Sequence, residues 1–228
     1  MARRLNRRFL GIVTRIYVHF RVSSPIRTRV RYLTDFADQA VLIPVVLAVA
    51  ITLAVQGWRR GALVWLIVIA GVFTSTLVFK LMFLGCSPLF GPIDIHSPSG
   101  HVAAASVVSG GLAAMLTRRR ASIVPAALLA AFVIGVSRVV IGVHSLPEVV
   151  VGALIGLAGA VALLRFVGPP PRLHIAPLFA VVVVVAALFH GLHLPAEAAI
   201  RHTALRAAQY IPACRGTPVF QRASPWNG

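Results

Sequence analysis

Six long stretches of apolar residues divide this chain, near residues 38–56, 61–84, 101–117, 122–142, 146–166 and 174–194. Most are close to the ~20 residues that a helix needs to cross a bilayer. The third is short and rich in serine, which suits a helix that faces protein rather than lipid. The connections are brief: Gly57 to Arg60, Thr117 to Ala121, and Gly168 to Arg172 with its Pro169-Pro170-Pro171 break. A longer loop, 85–100, contains Pro88, Pro92 and Pro98. The pattern predicts an all-α fold, a six-span transmembrane bundle over residues 35–194. It lies between a basic N-terminal tail, 1–34, and a mixed C-terminal tail, 195–228, with an interfacial helix expected around Ala196–Tyr210. The apolar part of the N-terminal tail, Phe9 to Phe20, is short and broken by Arg15, so it is expected to lie on a membrane rather than cross it.

Six alternating spans sort the polar residues onto two faces. The exit of span two with Lys80, the 85–100 loop, His101, the exit of span four with Arg138, and His144 share one face. The hairpins with Arg59-Arg60 and Arg118-Arg119-Arg120 lie on the other.

Composition sharpens the class. The chain is 58% hydrophobic and 12% charged, with a mean hydropathy of +0.89. A soluble domain carries about 25% charged residues. The formal net charge is +17. In a soluble chain that would suggest nucleic acid, but no basic-aromatic surface pattern accompanies it and the charge flanks the spans. Anionic membrane lipids are the expected partner, and no nucleic acid is. The five acidic residues, Asp35, Asp38, Asp94, Glu148 and Glu197, are scattered, and Cys86 and Cys214 form no metal pattern. No metal site and no cofactor are expected, because a catalytic metal ion needs clustered oxygen ligands.

The polar residues inside the apolar sequence are few and specific. Lys80 is the only lysine. A charge at the centre of a spanning helix costs about 2.5–3.5 kcal/mol on insertion scales, so such residues are usually functional. Ser97-Pro98-Ser99-Gly100-His101 reads as a helix start, with a serine cap and proline at the first helical position. Free N–H groups there can cradle an anion, and Gly100 lets it come close to the backbone. Ser145-Leu146-Pro147-Glu148 is a second helix start with capping-box spacing. Glu148 can cap that helix, or it can accept the N–H of His144 and free the other ring nitrogen to attack phosphorus; one rotamer is not expected to do both fully. Arg138 and Lys80, taken singly, could be interfacial residues reaching for head groups. Together with two histidines on one face they point to phosphate handling.

These motifs resemble those of the type-2 phosphatidic-acid phosphatase family, which shares its fold with acid phosphatases and vanadium haloperoxidases. Pro98-Ser99-Gly100-His101 matches the second family motif in full. Ser137, Arg138 and His144 match the third, with Glu148 where aspartate is expected. Lys80 and Pro88 match the first, but Ser87 stands in place of its arginine. The resemblance implies that His144 is the nucleophile, forming a phosphohistidine, and that His101 is the general acid. It also implies that Lys80, Ser99, Gly100 and Arg138 hold the phosphoryl oxygens. Loss of the arginine at position 87 removes a bidentate clamp; His96, Arg201 or Arg206 could supply replacement charge from the same face.

The expected activity is metal-independent hydrolysis of a lipid phosphate monoester or diphosphate: phosphatidic acid, phosphatidylglycerol phosphate or a polyprenyl diphosphate. A catalytically weak or inactive lipid-binding protein of the same fold is the alternative. A transporter is disfavoured, since no internal repeat or paired broken helices are visible. The resemblance implies a multi-pass protein of the bacterial inner (cytoplasmic) membrane. Family likeness suggests a periplasmic site, whereas the arginines of the N-terminal tail argue for a cytoplasmic one. Gly152 and Gly156 suit close helix packing within the chain or, alternatively, across a homodimer. His190 and His193 are expected to supply interface polarity rather than a metal pair. Cys86 and Cys214 share the site face, and a bridge between them requires that face to be periplasmic. Their Cα atoms would have to come within about 7 Å, and the unconstrained tail favours two free thiols.

Overall fold

The structure, a computed structural model, describes residues 24–86, 97–169, 171–192, 196–208, 210–211 and 214, with residues 24–27 as backbone only. The Phe9–Phe20 stretch, Ser87, Pro88, His96 and His193 lie outside the described residues. Among the described residues eight α-helices follow one another: α1 Ser24–Asp35, α2 Gln39–Val55, α3 Arg59–Gly85, α4 Gly100–Thr117, α5 Ile123–Ile141, α6 Leu146–Phe166, α7 Ile175–Phe189 and α8 Ala196–Ala208. No strand occurs among the described residues.

Five helical stretches are long and apolar enough to cross a membrane: Thr28–Val55, Arg59–Gly85, Gly100–Thr117, Arg120–Ile141 and Leu146–Phe166. The sixth apolar run forms the shorter helix α7, of 15 residues. At 1.5 Å per residue that is about 22 Å, less than the ~30 Å hydrocarbon core. The run breaks because the chain leaves helical geometry at His190 and turns at Gly191, whose φ of +80° suits glycine. Six full spans therefore become five plus one short apolar helix.

Helix α4 is the centre of the bundle. Of its apolar window 67% is buried, against 28–50% for the other four candidate spans. Small residues allow this. A Cβ on Gly111 would stand 2.2 Å from the Trp65 ring, so the absent side chain makes room for the indole. Trp65 is fully buried and its Nε1 donates to the Val46 carbonyl at 3.0 Å, which ties α3 to α2. Along α6, a Cβ on Gly152 would meet the Ser99 carbonyl at 2.4 Å, and one on Gly156 the Ala103 carbonyl at 2.5 Å. The Gly152–Gly156 pair thus lays α6 directly against the start of α4, within the chain. Part of the expected N-terminal tail is helix α1, which docks on α5: Thr34 Oγ1 donates to Ser137 Oγ at 3.0 Å.

Candidate active site

The site forms where two helix starts meet. The Ser99 N–H donates to the Glu148 carbonyl at 3.0 Å, joining the entry of α4 to the first turn of α6. Ser99 occupies the N-cap position, and the helix begins at Gly100 rather than at Pro98, where the first helical position was expected. Its hydroxyl makes no capping hydrogen bond. It is fully buried and, among the described residues, unpartnered, as is Ser97 Oγ.

Glu148 organises the α6 side. Its Oε2 accepts from His144 Nδ1 at 3.0 Å and from the Ser145 N–H at 3.0 Å. Its Oε1 accepts the Ser97 N–H at 2.8 Å. The capping box and the histidine contact therefore coexist in one rotamer, contrary to the expected competition. The reason is that each carboxylate oxygen has two lone-pair directions. With Nδ1 turned to Glu148, His144 keeps Nε2 for another partner. Burial pushes the His144 imidazole below its ordinary pKa; the Glu148 hydrogen bond opposes this, and Arg138 and Lys80 add to the lowering. A neutral ring with an unshared electron pair results.

Two cations complete the cluster. Lys80, near the end of α3, is 1% exposed. Its Cε lies 3.6 Å from where a Cβ of Gly100 would be, so glycine leaves the lysine stem beside the α4 entry. Arg138, in the last turn of α5, has a buried Nε with no hydrogen-bond partner among the described residues. Buried donors left unpaired cost about 1–3 kcal/mol each, so such groups mark a place for a missing partner. Ser99 Oγ, Arg138 Nε and the N–H groups of the first turn of α4 are suited to an oxyanion.

Residues 86–172 match the model of the PAP2 superfamily, the type-2 phosphatidic-acid phosphatases. Over that segment the chain is similar to the PAP2 superfamily. The match takes in Ser99, Gly100, His101, Arg138, His144 and Glu148, and leaves Lys80 just upstream. No curated protein and no solved structure matches the chain.

Beside the matched residues the structure places two carboxylates that the sequence did not mark. Asp38, at the start of α2, brings Oδ2 to 3.5 Å from His101 Nε2. Glu197, in the first turn of α8, pairs with Lys80 Nζ. Asp38 stood in the sequence only as one of five scattered acidic residues. Glu197 carried no local signal. Helix α8 packs along the last turns of α3 in the same direction, and Gly85 approaches within 3.2 Å of the Ala204 carbonyl, measured from its would-be Cβ. Arg201 and Arg206, considered as replacement phosphate ligands, are exposed on α8. The helix delivers an acid to the site instead.

The same packing overturns the expectation of free thiols: Cys86 and Cys214 form a disulfide, with Cα atoms 4.8 Å apart. Cys86 follows α3 and Cys214 follows α8; the two helices run in the same direction, with Lys80 against Glu197 and Gly85 against Ala204, so their C-terminal ends bring the cysteines together. His190 turns to α1, its Nε2 3.2 Å from the Tyr32 carbonyl and its ring 4.3 Å from those of Tyr32 and Phe36.

Proposed function

We propose that this multi-pass PAP2 protein is a lipid phosphatase that works through a phosphohistidine on His144. The observation that carries the reading is the convergence of a Glu148-oriented, neutral His144 with the unpartnered Ser99 Oγ and Arg138 Nε at two joined helix starts. In the first step His144 Nε2 attacks phosphorus, the N–P bond forms, and the bond to the leaving oxygen breaks. His101 gives that oxygen its proton. In the second step water attacks phosphorus, passes a proton to His101, and the N–P bond breaks to release phosphate and restore both histidines. Lys80, Arg138, Ser99 Oγ and the Gly100 N–H bind the phosphoryl oxygens and stabilise the charge that builds on them. His144 sits at the membrane-face end of the helices, where a lipid head group would lie. The Cys86–Cys214 bridge beside it supports a site facing an oxidising compartment, as the periplasmic side of a bacterial inner membrane would be.

The test is phosphate release by the purified full chain in detergent micelles with EDTA present. The substrates are phosphatidic acid, phosphatidylglycerol phosphate and a polyprenyl diphosphate. Release from at least one of them, lost in His144→Ala, is the expected result, with ³²P retained on His144 after an acid-free quench. Binding of these lipids without turnover would mark the chain as a lipid-binding relative and end the phosphatase reading.

A further inference from the structure

The His101 side of the site contains a second acid–histidine pair, built differently from the first. Asp38 is the N-cap of α2: Oδ1 accepts the Ala40 N–H at 2.8 Å, and its carbonyl accepts from the N–H groups of Val41 at 3.0 Å and Leu42 at 2.9 Å. Capping fixes the side-chain rotamer. The other oxygen, Oδ2, then faces His101 Nε2 at 3.5 Å, with both side chains no more than 15% exposed. Asp38, His101, Gln39 and Ile200 line one small cleft beneath the start of α8.

Charge explains why such a pair is useful. His101 is faced by Arg138 from α5, Glu197 from α8 and Asp38 from the entry of α2, and Lys80 of α3 stands beside Gly100. Glu197 is already paired with Lys80. An acid that must carry a proton beside a lysine and an arginine needs its own counter-charge, and Asp38 is the group placed to supply it. A contact that is long in the unliganded protein tightens when the reaction complex forms.

We propose that Asp38 is the positioning residue for His101, holding one ring nitrogen so that the other delivers the proton to the leaving oxygen. This rests on the phosphatase reading above and adds a residue outside the matched segment 86–172.

The rival role is that of a helix cap alone, and the two separate cleanly. Asparagine caps as well as aspartate. In Asp38→Asn, Oδ1 can keep the Ala40 bond while an uncharged amide faces His101. Asp38→Ser keeps a cap and cannot reach the ring. Both variants are assayed as full-length protein on phosphatidic acid, whose alcohol leaves only with a proton, and on p-nitrophenyl phosphate, whose phenolate leaves without one. The expected result is that the ratio of kcat on phosphatidic acid to kcat on p-nitrophenyl phosphate falls about 10- to 100-fold in both, less than the ~10²–10⁴-fold that a general acid contributes, because the ring remains and only its positioning charge is lost. Equal slowing on both substrates, or none, in variants with wild-type melting overturns the proposal and leaves the phosphatase reading intact. A wild-type protein inactive on p-nitrophenyl phosphate and on all three lipids named above overturns that reading and the proposal with it.

Discussion

The two ends of this bundle hold the same kinds of side chain and use them in opposite ways. At the end away from the site, arginines close the structure. Arg118 Nη2 donates to the Leu173 carbonyl at 3.1 Å, and Arg120 Nη2 donates to the Leu164 carbonyl near the end of α6. There the guanidinium groups take up main-chain acceptors that a helix end leaves open. At the site end, Arg138 is also in the last turn of a helix, yet its Nε and the hydroxyl of Ser99 have no hydrogen-bond partner among the described residues. Arg120 also leaves its Nε unpartnered, so an orphan nitrogen is not by itself diagnostic. What separates the ends is that the site-end donors come from different helices and stand around an oriented histidine.

The largest effect should follow from exchanging the arginine tests. Arg138→Ala should lower kcat/KM by about 10²–10³-fold, the usual size for a lost oxyanion donor, with little change in melting. Arg120→Ala should do the reverse: kcat/KM within about twofold, and stability lower by about 1 kcal/mol for the lost hydrogen bond. Steady-state kinetics and thermal melting in the same detergent measure both. Similar kinetic losses in the two variants would erase the distinction between the ends.

Packing supports the site end more tightly than its loop-like sequence suggests. Gly152→Ala places a Cβ 2.4 Å from the Ser99 carbonyl, so α6 or the Ser97–Gly100 turn must shift. A misplacement of about 1 Å can cost 10²-fold in rate. We expect kcat to fall by about 10- to 100-fold, with substrate still bound. Gly57→Ala at the opposite end has open space around its Cβ but a φ of +86°, so it should affect stability alone.

The pH profile sharpens the comparison further. His144 must be neutral to attack, and its pKa is lowered by burial. It therefore stays neutral as pH falls, and the acidic limb of kcat/KM should lie below the ordinary histidine value of about 6.5. In Glu148→Gln the carboxylate that opposes this lowering is gone, so the limb should move further toward acid. The plateau rate should drop at the same time, because the ring tautomer is no longer held. A limb that moved toward neutral pH would contradict the role given to Glu148.

The apolar spans and the helix starts were legible because each depends on neighbours in sequence. The run 146–166 matches α6 residue for residue, and 101–117 misses α4 by one. The capping-box spacing from Ser145 to Glu148 likewise became a bond. What was hidden depends on the approach of distant helices. Asp38 reaches His101 only because α2 and α4 start at the same end, and Cys86 meets Cys214 across 128 residues. Proline at position 98 looked like a first helical residue, but the tie from Ser99 to α6 moved the start to Gly100.

The smallest and most discriminating effect concerns Glu197. Its carboxylate is 55% exposed while Lys80 is 1% exposed, so the acid reaches inward from a surface helix to a buried amine. Substrate phosphate and Glu197 are both anions, and Lys80 cannot give its full charge to each. Glu197→Gln should leave Lys80 to phosphate alone. We expect inorganic phosphate to inhibit about threefold to tenfold more tightly, at most 1.4 kcal/mol of binding, with kcat nearly unchanged. The free protein should melt lower, because a buried ammonium has lost its partner, and added phosphate should restore part of the loss. Arg206→Gln on the same helix is exposed and serves as the control. If phosphate binds more weakly in Glu197→Gln than in wild type, the acid holds Lys80 in place for the substrate rather than competing with it.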